Sequence, residues 1–289
     1  MKVFKSEKAR QALLADYDRL LGNWGVPYGE RDLSGPWGRT HVVTAGPEDA
    51  PPLLLLHGVG DNSAVMWRYN IAALAGRYRC YAVDTLGGPG KSVPGPGYGK
   101  GFDQVAWLTA VLDGLGISEC YAAGVSNGAV MAFSLAAATG RVTKLACIEG
   151  GFVLDSGAGM KTMLKAFPEA LWPTRKNVLK LMKKFASPRE GFFEECPEIT
   201  EHMVRIMHAH NQMAMRWQSP RTYDPAVAPA LRERSLFLLG EYSAARSQDY
   251  RAVLERDGYR WQVVANAGHG ANMEQPTVVN AALLDFFGA

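Results

Sequence analysis

Short, almost continuously apolar runs alternate along this chain with helical patterns: LLLL at 53–56, YRCYAVD at 78–84, ECYAAGV at 119–125, KLACIEG at 144–150, SLFLLG at 235–240 and RWQVVANAG at 260–268. Strands that are apolar on both faces need cover on both faces. Their alternation with helices at the spacing of βαβ units therefore predicts an α/β protein with a mainly parallel sheet between two helical layers. A further strand is expected at Thr40–Thr44, and a leading helix over 5–24 that ends near Gly22. Helices are also expected over WRYNIAALAGRY, FDQVAWLTAVLDGLG, NGAVMAFSLAAATG, Gln248–Asp257 and Thr277–Phe287.

The rhythm breaks after Gly151. Residues 152–230 carry helical patterns, such as ITEHMVRIMHAHNQMAMRW at 199–217, and almost no strand. The expected organisation is a sheet domain in two parts, 1–151 and 231–289, interrupted by a helical insertion at 152–230. Ligand crevices of open α/β sheets lie outside the carboxyl ends of the strands, so the insertion should sit there as a cap.

Composition narrows the function classes. A net charge of +3 with 20% charged residues and no concentrated basic block argues against a nucleic-acid partner. The basic stretch LKLMKK at 179–184 suits a solvated helix face. No apolar run approaches a membrane span. The segment MKVFKSEKARQALL is charged throughout, without the apolar core of a secretion signal. Cys80, Cys120 and Cys147 fall in apolar runs, Cys196 does not, and no CxxC occurs. Reduced thiols in a cytoplasmic protein are the expectation. A homodimer is allowed, and no cofactor is implied.

One short stretch carries chemistry. In YAAGVSNGAVMAFSLAAA at 121–138, Ser126 stands between Gly124 and Gly128, after a strand and before a helix. A strand-to-helix turn this tight forces the central residue into a strained conformation, and small residues two before and two after it let the elements approach. Ser126 is thus the candidate nucleophile. The N–H of Asn127, at the helix start, is a candidate oxyanion donor. LLLLHGVGDN supplies the second, Val59 N–H, on a loop that Gly58 lets turn close to the site; His57 is expected to brace that loop rather than act as base. Among six histidines, His269 in VVANAGHGANMEQP follows the last strand and is placed to reach Ser126 as general base. His202, Ile206, His210, Met213 and Trp217 share a helix face or nearly so. Without a carboxylate or cysteine at ligand spacing they read as packing or pocket lining, not as a metal site.

With HGVG at 57–60, DTLGGPGKS at 84–92, GVSNG at 124–128 and GHGANMEQP at 268–276, the chain resembles the α/β-hydrolase superfamily. Residues 4–58 further resemble the start of bacterial carboxylesterases of the naproxen-ester-hydrolysing group. The resemblance implies the α/β-hydrolase fold, with an eight-stranded, mainly parallel sheet, helices on both faces and a variable helical cap. It also implies a serine–acid–histidine triad with Ser126 and His269, and Val59 and Asn127 as oxyanion donors. The acid does not carry over: the position where the family places Asp or Glu, three residues after Gly240, holds Ser243. Glu149, at the end of KLACIEG, is the preferred substitute, because haloalkane dehalogenases place the acid similarly and its strand neighbours that of the nucleophile. Glu241, adjacent to the usual position, and Asp155, at the cap entry, are alternatives, as is a dyad in which Ser243 or water holds His269.

The chemistry expected is acyl transfer through a serine ester, which makes the chain a serine hydrolase of carboxylic esters. A serine nucleophile disfavours the aspartyl-ester routes of dehalogenation and epoxide opening, and the absence of a nucleophilic cysteine disfavours dienelactone-type chemistry. Met160, Met163, Phe167, Trp172, Met203, Met207, Met213, Met215 and Trp217 suit either the cap's own core or an apolar pocket for a hydrophobic acyl or aryl group. Two rivals stay open: an acyltransferase or cyclase using the same serine, and a non-hydrolytic lyase or binding protein on the same fold.

Overall fold

The computed structural model describes residues 2–154, 169, 172–188, 192–218, 222–243 and 248–288. A nine-stranded sheet has the order β1-β2-β4-β3-β6-β7-β8-β9, with the two-residue β5 (Val93–Pro94) pairing β2. The strands are β1 (Tyr28–Gly35), β2 (Gly38–Ala45), β3 (Pro52–Leu56), β4 (Arg79–Val83), β6 (Cys120–Val125), β7 (Val142–Ile148), β8 (Ser235–Gly240) and β9 (Arg260–Val264). From β4 through β9 every neighbour in this order is parallel, and the β1, β2 and β5 pairings are antiparallel. The eight-stranded, mainly parallel expectation holds, with β5 as an added fragment.

Successive residues of a strand face opposite sides. Leu53, Leu55, Ala123, Val125, Leu236 and Leu238 accordingly join one core cluster, and Leu54, Leu56, Ala122, Leu145, Phe237 and Leu239 the other. All of these are at most 2% exposed, which is why the runs looked continuously apolar in sequence. The helix Asn127–Ala138 buries Gly128, Ala129, Ala132 and Ala136, and these small residues let it lie close on β3, β6 and β7.

Several elements differ from expectation. β1 was not foreseen, because YGERDLSG is exposed almost throughout and lacks the alternation of a half-buried strand. It forms by hairpin pairing along the whole of β2, from Gly35↔Gly38 to Tyr28↔Ala45. Of the helix expected over 67–78 only Ile71–Ala75 is helical, and a separate short helix, Ser63–Met66, precedes the expected range. The long pattern at 199–217 is a helix only over Pro197–Ala209; His210 is extended, and a 3-10 turn follows at Gln212–Met215. The last strand stops at Val264, before Asn266 takes a positive φ of 55°.

The leading helix, Glu7–Gly22, starts at Ser6, whose side chain accepts from Ala9 N–H. It packs on the cap helix Pro197–Ala209, and Trp24 Nε1 donates to Ala64 O at its exit. Residues 2–5 run beside the cap as well: Lys5 N donates to Ala209 O and Asn211 N to Val3 O. Between β7 and β8 the described residues form helices and irregular chain apart from the isolated bridges Val153↔Thr222 and His210↔Phe4, as a helical cap requires. Among the described residues no helix is long and apolar enough to cross a membrane. The four cysteines are free, and burial raises the Cys80 and Cys120 thiols to about 12.

Three histidines are at most 1% exposed: His57 and His202 at 0% and His210 at 1%. Burial pushes all three below the ordinary histidine value, His210 to about 4. The folded state therefore keeps them neutral, whereas in the unfolded chain they titrate near pH ~6.5. Below that pH the unfolded state binds more protons at these three groups, so each withdraws stability as pH falls, by up to about 1.4 kcal/mol per pH unit. The Asp61 carboxyl, raised to about 7 by burial, offsets only one of them. Urea midpoints should be nearly level between about pH 8 and 7 and drop clearly between about pH 6.5 and 5.

Candidate active site

The elbow is built as its glycines predict. Ser126 adopts φ 54° and ψ −118°, a conformation that costs a non-glycine residue about 1–3 kcal/mol. A Cβ at Gly128 would lie 2.2 Å from Leu56 O, and one at Gly124 would lie 2.3 Å from the Gly128 backbone. No side chain fits at either position, so the helix can follow the strand this closely only with glycine at both. The turn is anchored in the sheet: Ser126 N donates to Ile148 O at 2.8 Å. Gly150 completes the enclosure, because a Cβ there would sit 2.6 Å from Ser126 O.

His269 Nε2 lies 2.9 Å from Ser126 Oγ. Its backbone N–H donates to Phe185 O at 2.6 Å, so the end of the cap helix Arg175–Phe185 holds the histidine's own peptide. Glu274 adds a second brace: Oε1 accepts from Gly268 N at 3.0 Å and Oε2 from Ser187 N at 2.7 Å. Gly268 must be glycine, because a Cβ would strike Phe185 O and the Ala186 backbone at 2.4 Å.

The structure brings Glu149 to the other side of the ring, Oε2 standing 3.7 Å from His269 Nδ1. Glu149 is 3% exposed and takes φ 58°, immediately after β7, the neighbour of the nucleophile strand. Its Oε1 accepts from Gly240 N, and Oε2 is buried without a hydrogen-bond partner. Gly240 permits this approach, since a Cβ there would meet Glu149 Oε1 at 2.9 Å and Gly268 O at 2.2 Å. The other candidates make the following contacts. Glu241 Oε2 accepts from Asn266 N at 3.0 Å, on the exit from β9. Ser243 is buried, with its N–H donating to Gly240 O. Asp155 lies outside the described residues.

The loop after β3 runs against the serine: a Cβ on Gly58 would be 3.4 Å from Ser126 Cβ. His57 braces this loop with both ring nitrogens, Nδ1 donating to Gly58 O at 2.8 Å and Nε2 accepting from Thr85 N at 2.9 Å. It is tied into structure, as expected, rather than facing Ser126 as a base. Asp84, fully buried, accepts from Ser63 N at 3.0 Å and Lys91 N at 2.7 Å, joining the loops after β3 and β4. The Val59 side chain is 56% exposed.

Sequence reasoning missed what holds these loops together from the cap. Gln218 Oε1 accepts from Asn127 Nδ2 at 3.0 Å while its Nε2 donates to Leu86 O at 2.6 Å. His210 Nε2 donates to Gly87 O at 2.8 Å, Tyr98 Oη to Ala214 O at 2.9 Å, and Gly60 N to Met215 Sδ at 3.4 Å. Nothing in residue spacing announces such contacts, although the Glu of HGANMEQP was visible. Trp172 and Met213 are 74% and 58% exposed, so neither is a core residue of the cap, and Met160, Met163 and Phe167 lie outside the described residues. Among the described residues no group of three His, Cys, Asp or Glu side chains is arranged to hold a metal ion.

Comparisons with known proteins agree with this architecture. The chain is 30% identical to an uncharacterized carboxylesterase, nap, of Bacillus subtilis, over 94% of this chain and 91% of the relative. It is similar to the crystal structure of the Bacillus subtilis carboxylesterase CesB (YbfK), with TM-score 0.80 and 25% identity over 97% of this chain and 98% of the other. It is also similar to that of naproxen esterase from the same organism, with TM-score 0.78 and 27% identity over 98% and 99%. A model of the alpha/beta hydrolase family matches residues 53–282, from β3 into the last helix and across every residue of the elbow and histidine loop; this chain belongs to that family.

Proposed function

We propose that the protein is a serine esterase that cleaves carboxylic esters bearing a hydrophobic acyl or aryl group. The observation that carries this reading is the 2.9 Å contact between Ser126 Oγ, on its strained elbow, and His269 Nε2. Relatives described as carboxylesterases over nearly the whole chain support the ester as substrate. Residues 152–230 act as the cap over the site, and the core consists of 1–151 and 231–289.

In the proposed mechanism His269 Nε2 takes the Ser126 proton as Oγ attacks the ester carbonyl. The N–H groups of Val59 and Asn127 stabilise the oxyanion, and the protonated imidazole passes its proton to the leaving alcohol. Water, deprotonated by the same nitrogen, then resolves the acyl-enzyme. Glu149 is the orienting acid. Its buried, otherwise unpartnered Oε2 faces Nδ1, so this oxygen selects the tautomer with the proton on Nδ1 and faces the imidazolium as it forms. The separation of 3.7 Å is loose for a hydrogen bond, and such contacts tighten when substrate binds.

A fluorophosphonate probe read by intact mass should add one adduct, lost in Ser126→Ala. An unmodified wild-type protein after long incubation would refute the nucleophile. With a panel of p-nitrophenyl esters, Glu149→Gln should lower the acylation rate at least about tenfold, whereas Ser243→Ala should change it little. The reverse pattern would overturn the Glu149 assignment and give the orienting role to the Ser243 hydroxyl.

A further inference from the structure

A second histidine–carboxylate pair lies away from Ser126 and takes no part in the chemistry above. His202, on the cap helix, is fully buried, and its Nδ1 lies 2.7 Å from Oδ2 of Asp16 on the leading helix. Its Nε2 lies 2.9 Å from Nδ2 of Asn62, three residues after Val59 and itself fully buried. Asp16 is also held by Arg19, whose Nε and Nη2 donate to Oδ1 at 2.9 and 2.8 Å, and Arg205 Nη1 stands 3.7 Å from Oδ2.

The proton inventory of this chain of contacts has one consistent solution. Asp16 is an acceptor: burial raises its pKa, but the hydrogen bonds from His202 and Arg19 outweigh that and bring it to about 2. His202 must therefore carry its proton on Nδ1. Burial holds the ring neutral, which leaves Nε2 as a bare acceptor. Asn62 Nδ2 then donates both to Nε2 and to Pro89 O at 3.1 Å, while Asn62 Oδ1 accepts from Val65 N at 3.4 Å. Every polar atom of the Asn62 side chain is matched in kind.

A buried ion-supported network of this sort is seldom the most stabilising filling of its space; apolar side chains of similar volume often do as well or better. What it supplies is direction. It joins the leading helix, the cap helix, the loop after β4 and the loop that carries Val59. We propose that His202 is a positioning residue for the oxyanion loop: through Asn62 it fixes the segment 57–62 so that Val59 N–H is aimed before substrate arrives. This rests on the esterase reading above, in which that N–H stabilises the oxyanion. Preorganised donors matter because they require no reorganisation as charge develops.

Two substitutions divide the pair. Asn at 202 can place an amide N–H near the position of Nδ1, keeping Asp16 satisfied and losing Asn62. Gln at 202 can place its oxygen near the position of Nε2, keeping Asn62 and losing Asp16. We expect His202→Asn and Asn62→Ala to lower kcat about tenfold with KM changed less than about threefold, and the double variant to be no worse than either single one. His202→Gln should keep most of kcat while losing more thermal stability than His202→Asn. Wild-type kcat in His202→Asn and Asn62→Ala, or an equal loss of kcat in His202→Gln, would overturn the proposal and leave the pair a structural tie. Should His202→Asn fail to fold, Asn62→Ala, which leaves the Asp16–His202 pair intact, decides the question. Fluorophosphonate labelling of the wild type separates the two levels. No adduct would refute the esterase reading itself, whereas a labelled wild type with unaffected variants would refute only the role of His202.

Discussion

The rest of the site depends on a steric constraint at Ser126. A strand must become a helix within one residue, and that residue must stand at positive φ with its oxygen free above the sheet. The backbone of the elbow helix comes so near Leu56 O that no Cβ fits at position 128, and it leaves none at 124. Ser126 N and Glu149 N are bonded to the next strand over, at Ile148 O and Leu238 O. The strain at the serine is thus held by an over-determined surrounding of central strands, all buried on both faces.

Given that elbow, the sheet order does the remaining placement. The segments after β3, β6, β7 and β9 all leave from the same end of the sheet, and they bear Val59, Ser126, Glu149 and His269. The cap then fixes these segments from above through single hydrogen bonds of known direction. Phe185 O holds the histidine loop, Gln218 holds Asn127, and His210 and Met215 hold the loops after β4 and β3. The helical insertion in this protein is therefore a scaffold for these loops.

Much of this was legible in sequence because it follows from local rules. Continuous apolar runs can lie only inside a two-sided sheet, and the glycines flanking Ser126 have one economical explanation. The strand β1 was not legible, because its eight residues carry no burial pattern and gain their conformation from pairing with β2. Likewise the helical pattern of 199–217 persists past Ala209 in residue types alone. The helix stops at His210, whose extended backbone turns the ring toward Gly87 O and pairs the chain with the N-terminal segment.

The sequence by itself determined the fold class, through strand and helix alternation along the chain, and the elbow, through the glycines two residues either side of Ser126, and it singled out Ser126 and His269 as candidates. Only the tertiary structure decided which acid stands beside His269. Glu149, Glu241 and Ser243 all follow closely on strand ends, and Glu149 reaches His269 because β7 neighbours the nucleophile strand and Gly240 lacks a side chain. The same holds for Asp16, His202 and Asn62, each unremarkable where it stands in the chain. They form a network only because the leading helix, the cap and the oxyanion loop meet in space and are buried there against one another.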